Sequence, residues 1–378
     1  MSASTPAVHP ARVVAFGALF DGLEAARALG LVYRRDQPDG RALYCYTSRC
    51  VYENAWDEMT VLARGLILHP AARRVVATPF PKFFNAGESG RSIPDLPFEA
   101  FEKLDGSLAI IHHHAGRWRA ATKGAFDSSQ AAWAEARLAA QDTSALTPGT
   151  TYLAEAVYPE NRIVIRYPEA ALVLLSAFGE DGAELGRDEL LDVASRLGWR
   201  TARQHTYASF GAMLADAHAL PATAEGFVAR FADGMRLKIK GAEYRRIHAL
   251  ISRCTPLAMW EAMAAGDDLA AMRRDIPEEF WTDFDAIIGL LGAELSALEA
   301  RVAAAAASVA HLSDKELGLS LADLPGDIRT LVFPWRKSGG RLQGKPMQSL
   351  LRLLRPTGNV LAGYKPSYAM GRLLDESA

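Results

Sequence analysis

The stretch Phe101-Glu102-Lys103-Leu104-Asp105-Gly106-Ser107 puts a lysine at the end of an alternating strand, directly before a tight Asp-Gly turn. A lysine placed there can point into a cleft, and its amine becomes a nucleophile once it loses its proton. Acidity is the obstacle: at the ordinary pKa of ~10.4, about 0.1% of the amine is neutral near pH 7.4. Nearby cations lower that pKa by disfavouring a further positive charge. Leu237-Lys238-Ile239-Lys240 supplies two, because strand side chains two apart share a face. The same pair can neutralise charge that grows on a phosphorus centre in a transition state. Glu155, in Tyr152-Leu153-Ala154-Glu155-Ala156-Val157, and Glu225, ahead of Gly226-Phe227-Val228, offer carboxylates to a hydroxyl or to a hydrated Mg2+. Each could instead be an ion-pair partner of the cleft lysines. Asp105 is placed to orient Lys103 or metal-bound water, and Gly106 admits a backbone conformation closed to other residues. Alone, a Lys-x-Asp-Gly string reads as a hairpin with an exposed lysine; its companions, in this order and at domain-scale spacing, change that reading.

The elements that must position these groups show as short segments bounded by Gly, Pro, Asn or Asp. Arg74 to Ala77, Phe101 to Ile111, Arg117 to Ala121, Ile163 to Tyr167, Ala171 to Phe178 and Gly226 to Ile239 are predicted strands of antiparallel sheets. Helical spacing predicts helices over Leu19 to Leu29, Ser129 to Ala139 and Arg187 to Leu197. Beyond Thr255 the texture changes, with helical spacing over Leu257 to Ala264, Glu278 to Gly289 and the Ala-rich Leu291 to Val309. The expectation is α+β, with a first domain at 1–252 and a mainly α-helical domain at 253–378.

Composition sets outer bounds. At 378 residues, 49% hydrophobic and 23% charged, the chain is an ordinary folded protein with room for two domains. A net charge of −2 excludes a uniformly basic nucleic-acid coat but allows a local basic groove. No apolar run approaches the ~18 residues of a membrane span and no signal peptide opens the chain, so a cytoplasmic protein without a membrane partner is expected. Cys45, Cys50 and Cys254 match neither a disulfide framework nor a four-ligand zinc pattern. In His112-His113-His114, alternation lets at most His112 and His114 share a face, and no metal role is assigned to them. From Arg329 to Arg372 the chain is basic, with Trp335, Tyr364 and Tyr368 interleaved; Arg336, Lys337, Arg341 and Lys345 are candidate RNA contacts, against the alternative of solvated surface.

The order Lys103-Leu104-Asp105-Gly106, Glu155, Glu225-Gly226, Lys238-Ile239-Lys240 resembles the lysyl-nucleotidyltransferase superfamily of ligases and RNA-capping enzymes. Ala63-Arg64-Gly65-Leu66-Ile67, Pro81-Lys82-Phe83-Phe84-Asn85, Thr122-Lys123-Gly124 and Pro159-Glu160-Asn161-Arg162-Ile163-Val164 sharpen the resemblance to the phage-type ATP-dependent RNA ligase 1 family. The matching motifs run from about Tyr44 to His248; beyond them the likeness is weak, chiefly Gly266-Asp267-Asp268-Leu269.

The resemblance implies an antiparallel-sheet nucleotidyltransferase domain of ATP-grasp-like adenylylation type. It implies that Lys103 attacks ATP, that Arg64, Lys82 and Lys123 hold triphosphate or RNA phosphates, and that Glu155 meets the ribose and Glu225 the metal, Mg2+ or Mn2+. Phe84 would stack on adenine, although a Phe-Phe pair on a strand is commonly core. Asp267, or equally Asp268, would hold a second metal unless it caps the helix from Leu269. The implied partners are RNA 5′-phosphate and 3′-hydroxyl ends, such as broken tRNA, and an end-healing kinase-phosphatase. Two alternatives stay open: a DNA ligase or capping relative, which would add an oligonucleotide-binding barrel, and a noncatalytic RNA-binding protein, which would be expected to lose Lys103 or the Lys238/Lys240 pair.

Overall fold

A computed structural model describes residues 8–88, 92–252, 254–276, 280–358 and 360–365. The chain forms two units that part between Arg246 and Ile247. In chain order the first comprises α1 (Pro10–Val13), α2 (Phe16–Ala28), β1 (Val32–Asp36), β2 (Ala42–Tyr46), α3 (Ser48–Tyr52), β3 (Arg64–His69), β4 (Arg74–Ala77), β5 (Phe84–Asn85), β6 (Phe98–Lys103), β7 (Ser107–His114), β8 (Arg117–Ala121), α4 (Ser129–Ala139), β9 (Thr151–Val157), β10 (Ala171–Phe178), α5 (Arg187–Leu197), β11 (Gln204–His205), α6 (Phe210–Ala219), β12 (Gly226–Phe231) and β13 (Arg236–Lys240). Helix α7 (Ala242–Ser252) crosses the division.

The strands form three sheets, ordered β1-β2-β3-β4, β10-β9-β7-β8 and β11-β6-β12-β13-β5. Strand alternation explains how the first two stack. Along β2, Ala42 and Tyr44 pack against Leu19 and Leu23 of α2, whereas Leu43 and Cys45 face Ile110 and Leu153 of the second sheet. Helices α4 and α5 cover the other face of that second sheet through Ala134, Leu138, Leu190 and Val193. The third sheet carries α6 on one face, where Met213 and Ala217 meet Ala100, Phe227, Leu237 and Ile239. That burial decides the rest of the register: with Leu237 and Ile239 under α6, Lys238 and Lys240 must emerge on the opposite face.

Most predicted elements of this unit are present, and the α+β class with antiparallel sheets holds. Two details differ. Strand β5 pairs with β13 in parallel, Leu237 opposite Phe84 and Lys238 opposite Asn85. Ile163 to Tyr167 is a loop, not a strand. Its Val164 and Ile165 amides both donate at 2.8 Å to Asp105 Oδ2, so a buried carboxylate takes the hydrogen bonds a neighbouring strand would have taken.

After α7 the second unit runs α8 (Pro256–Ala265), α9 (Leu269–Asp275), α10 (Trp281–Ser308), α11 (Asp314–Ser320), α12 (Arg329–Lys337) and α13 (Lys345–Leu353). The two helices predicted between residues 278 and 309 are one, of 28 residues. Its buried stripe of Phe284, Ile287, Leu291, Leu298, Val302 and Ala306 keeps helical spacing through Gly289 and Gly292, so packing outweighs the weak helix propensity of glycine. Leu298 and Val302 meet Leu331, Leu350 and Leu351 in the core of this unit. No helix among the described residues is long and apolar enough to cross a membrane.

Candidate active site

Lys103 ends β6 opposite Gly226 of β12, and Gly226 in turn lies opposite Lys240 of β13. One row across three strands thus brings both lysines to Glu225, whose Oε1 sits 2.7 Å from Lys103 Nζ and 3.2 Å from Lys240 Nζ. Gly226 cannot be replaced in that row, because its φ is +143° and an added Cβ would lie 1.9 Å from the Ile239 carbonyl oxygen. Gly106 is required for a different reason than expected. Its φ is ordinary, but a Cβ would stand 2.7 Å from both Ala156 O and Glu155 Cγ, so the glycine permits close approach of the Lys103 turn to β9.

The charge states depart from the expectation that the lysine pair lowers the pKa of Lys103. Burial pulls it down, yet the carboxylates of Glu225, Glu155 and Asp105 together outweigh burial and hold it above its ordinary value. Lys238 is the depressed lysine, at about 6, through burial and then the charges of Lys82, Arg64, Lys103 and Lys240. The difference has a simple cause: Lys103 is ion-paired with Glu225, which also holds Lys240, while Lys238 is buried among Lys82, Arg64, Lys103 and Lys240 with no carboxylate of the described residues in ion-pair contact. Lys82 is lowered too, by burial first and then by Arg64 and Lys123, with Glu88 opposing.

Those cations arrive from all three sheets. Arg64 begins β3, Lys82 precedes β5, and Lys123 follows β8, where an added Cβ on Gly65 would lie 2.9 Å from Lys123 Cα. The ammonium of Lys82 lies 4.9 Å over the Phe84 ring, 5.2 Å over Trp56 and 5.9 Å over Tyr46. Phe84 is 4% exposed and edge-on to Trp56, so it stands as core beneath a lysine and presents no open stacking face. Tyr46, Trp56 and Glu88 were missed in the sequence, where nothing in their spacing links them to Lys82.

Asp105 is fully committed elsewhere. Oδ2 accepts the Val164 and Ile165 amides and Oδ1 accepts the Tyr244 hydroxyl at 2.9 Å, while its own amide donates to Tyr167 Oη at 2.7 Å. It therefore orients Lys103 through the turn, as a positioning residue, and does not reach toward metal-bound water. Tyr167 and Tyr244 complete this clamp and carried no sequence signal.

Three polar atoms around this cleft are buried without a hydrogen-bond partner, Arg64 Nη1, Asn85 Oδ1 and Glu225 Oε2. Left so they would cost about 1–3 kcal/mol each, which marks the cleft as built for an anion beside a cation or a hydroxyl. No group of three or more His, Cys, Asp or Glu residues suited to a metal occurs among the described residues. Glu225 fits a largely hydrated ion that takes most of its oxygens from water and substrate.

Glu155 stays with the site: on β9, between Leu108 and Val173 of the adjoining strands, it lies against the Gly106 turn and helps hold Lys103 above its ordinary value. Most other expected residues fall in the second unit. Asp267 is exposed in the second unit, and Asp268 caps α9 through the Ala271 amide at 2.9 Å. Lys337, Arg341 and Lys345 are exposed there, but Arg336 turns inward to donate to the Leu312 carbonyl at 3.0 Å, which corrects its assignment to an open RNA face. Tyr368 and Arg372 lie outside the described residues. His112 is buried and neutral, its ring nitrogens occupied by Arg41 and the Ile110 carbonyl.

Residues 62–244 match the RNA ligase family. A protein of Thermovibrio ammonificans named "Putative RNA ligase" is 28% identical over 202 residues, 49% of this chain, and the chain spans about half the length of that relative, 52%. Among solved structures, form 1 of an archaeal ATP-dependent RNA ligase superposes with a TM-score of 0.51 at 16% identity, over 74% of this chain and 83% of that one. Form 2 of that enzyme gives 0.48 at 16% identity, over 76% and 83%.

Proposed function

We propose that this chain, whose residues 62–244 match the RNA ligase family, is an ATP-dependent RNA ligase that joins RNA 5′-phosphate and 3′-hydroxyl ends. The observation that carries the reading is the row Lys103–Gly226–Lys240, with Glu225 bridging both ammonium groups at one end of a sheet face that also gathers Lys238, Lys82 and Arg64.

The chemistry would run in three transfers. Lys103 Nζ, deprotonated, attacks the α-phosphorus of ATP; a P–N bond forms and pyrophosphate leaves. The AMP then passes to the RNA 5′-phosphate, which breaks the P–N bond and leaves a diphosphate-linked adenylate. A 3′-hydroxyl attacks that 5′-phosphorus, the phosphodiester forms and AMP departs. Negative charge concentrates at the same place in every step, so one preorganised cationic cleft serves all three. Lys238, Lys240 and Arg64 would hold the phosphates, with Lys82 and Lys123 toward the triphosphate end, and Glu155 the ribose. Mg2+ or Mn2+ held at Glu225 would compete with Lys103 for its carboxylate, which lowers the pKa of the amine. Lys103 must lose its Glu225 partner before it can react, and this adds a control step that the sequence did not suggest.

The helical unit, in which the described residues form no barrel, would select the RNA, with broken tRNA as the natural substrate and a kinase-phosphatase preparing its ends. Incubation with α-labelled ATP and Mg2+, then denaturing electrophoresis and a chase with 5′-phosphorylated RNA or DNA, tests this. The expected result is a labelled protein band that RNA discharges and DNA does not. Labelling from GTP alone, or discharge by DNA alone, would overturn it.

A further inference from the structure

A second polar cleft opens in the first unit, with a volume of about 810 Å3, and no step of the chemistry above uses it. Its lining includes four arginines, Arg137, Arg166, Arg200 and Arg203, against two glutamates, Glu102 and Glu169. Glu102 precedes the nucleophile Lys103 and by strand alternation points to the opposite face of β6.

The arginines are displayed on fixed backbone. Segment 200–205 staples two sheets together. Leu174 N donates to Arg200 O at 2.9 Å and Ala202 N to Leu174 O at 3.2 Å; Glu102 N donates to Arg203 O at 2.8 Å, and Gln204 and His205 continue as β11 beside β6. Glu102 is shared between Arg200 at 3.4 Å and Arg203 at 3.7 Å, and its Oε1 also accepts the Arg203 amide at 3.0 Å. One carboxylate shared by two guanidinium groups aligns them yet leaves most of their ten N–H donors unspent. Arg166 is exposed on the loop that Asp105 pins. Trp199 offers a half-buried ring held in place by its Nε1–H bond to Gln141 Oε1 at 3.1 Å. Arginine forks with an immobilised aromatic beside them match the phosphates and bases of a single strand.

We infer that this cleft binds the phosphodiester backbone of an RNA strand, as a docking groove separate from the lysine site. The inference rests on the ligase reading for the identity of the polymer. Tyr167 connects the two places: it lines the arginine cleft, and its hydroxyl accepts the Asp105 amide in the turn that carries Lys103. A strand seated on Arg166, Arg200 and Arg203 would thus bear on the loop that fixes the nucleophile.

The test uses the full chain and a 5′-phosphorylated single-stranded oligoribonucleotide. In the variant Arg166→Ala, Arg200→Ala, Arg203→Ala, affinity should fall and the slope of log Kd against log salt should become shallower by about two, at ~0.7 per lost single-strand contact. Labelling of Lys103 from ATP should proceed at the wild-type rate, which shows that the variant is folded. In the wild type, 4-thiouridine in the RNA should crosslink to the segments around Arg166 or Trp199. Unchanged affinity and slope, crosslinks confined to other segments, or equal competition by inorganic phosphate would each overturn the inference. The binding titration decides it independently of labelling, so a wild-type protein that binds RNA through these arginines but takes no label from ATP would refute the ligase reading and leave the groove standing.

Discussion

Besides the arginine cleft, basic side chains crowd the sheet face around Lys103 and the segment from Arg329 to Arg355, and burial makes these two different materials. At the sheet, Lys103 is 20% exposed and Lys240 28%, both bound to one carboxylate that is itself 2% exposed, and Lys238 is driven to about 6. Along α12 and α13, Lys337, Arg341 and Lys345 stand in solvent. Desolvation amplifies every charge at the first place, whereas water and salt screen the second. Chemistry requires the first kind of setting, because a proton must be moved from an amine at neutral pH. A polyanion needs only the second.

The largest expected effect breaks the first region outright. Lys103→Ala should abolish labelling by ATP and the ligation of 5′-phosphorylated RNA, while sealing of chemically preadenylylated RNA continues, since the nucleophile is consumed only in forming and discharging the lysyl adenylate. Full ligation of 5′-phosphorylated RNA by this variant would move the nucleophile elsewhere, and Lys238, the lysine most neutral at pH 7, would be first to examine.

That contrast between two lysines on one sheet face gives the next prediction. With a pKa of about 6, Lys238 is mostly neutral at pH 7.4. Lys103, held above its ordinary value by its carboxylates against the pull of burial, stays protonated there. Acetic anhydride in limiting amount, followed by peptide mapping, should modify Lys238 well ahead of Lys103. Glu225→Gln removes the main opposing charge and should bring Lys103 modification forward. If Lys103 reacts first in the unsubstituted protein, the carboxylates do not control it as described.

How far the sequence could show this site follows from what alternation encodes. The i, i+2 pair Lys238/Lys240, flanked by Leu237 and Ile239, was readable because α6 buries one face of β13 and the period does the rest. The row across β6, β12 and β13 was not read: Gly226 needs a φ of +143°, but the conformational glycine was expected at Gly106, where φ is ordinary. The sign of the Lys103 shift was not readable. It depends on Glu225 standing nearer to Lys103 than the cations do, a matter of registers between strands more than a hundred residues apart. Ile163 to Tyr167 misled for a related reason, since its β-branched residues suit a strand and only the distant Asp105 explains why they form none. The clamp tyrosines and the arginine groove are likewise products of tertiary approach.

A smaller effect separates the two units through acid. His9, lowered to about 4 by burial, and His112, lowered to about 3 by burial and then by Arg41, both lie in the first unit. Their folded values are below the ordinary 6.5, so between pH 6.5 and those values the unfolded chain binds protons that the folded chain does not. Stability of the first unit should therefore fall as pH drops through that window and be fully present above it. Hydrogen exchange at pH 7 and pH 4.5 should show protection lost in β7 and β2 before α10. His112→Gln should flatten the dependence, and an unchanged profile would deny His112 its buried neutral state.

The smallest effects lie within the second region, where Arg336 must be separated from its neighbours. Arg336 is 26% exposed and donates to the Leu312 carbonyl, so Arg336→Ala should cost about 1 kcal/mol of stability through the lost bond. Lys337→Ala, Arg341→Ala and Lys345→Ala together touch only exposed groups and should stay within about 0.5 kcal/mol each. If these three bind RNA, the triple variant should show a shallower salt slope on structured RNA, with labelling by ATP unaltered. Arg336→Ala should do the reverse, lowering the melting temperature and leaving the slope alone. A triple variant with the wild-type slope would reduce this face to solvated surface and leave the first unit's arginine groove to account for RNA affinity. The two basic regions would then differ in purpose as well as in burial.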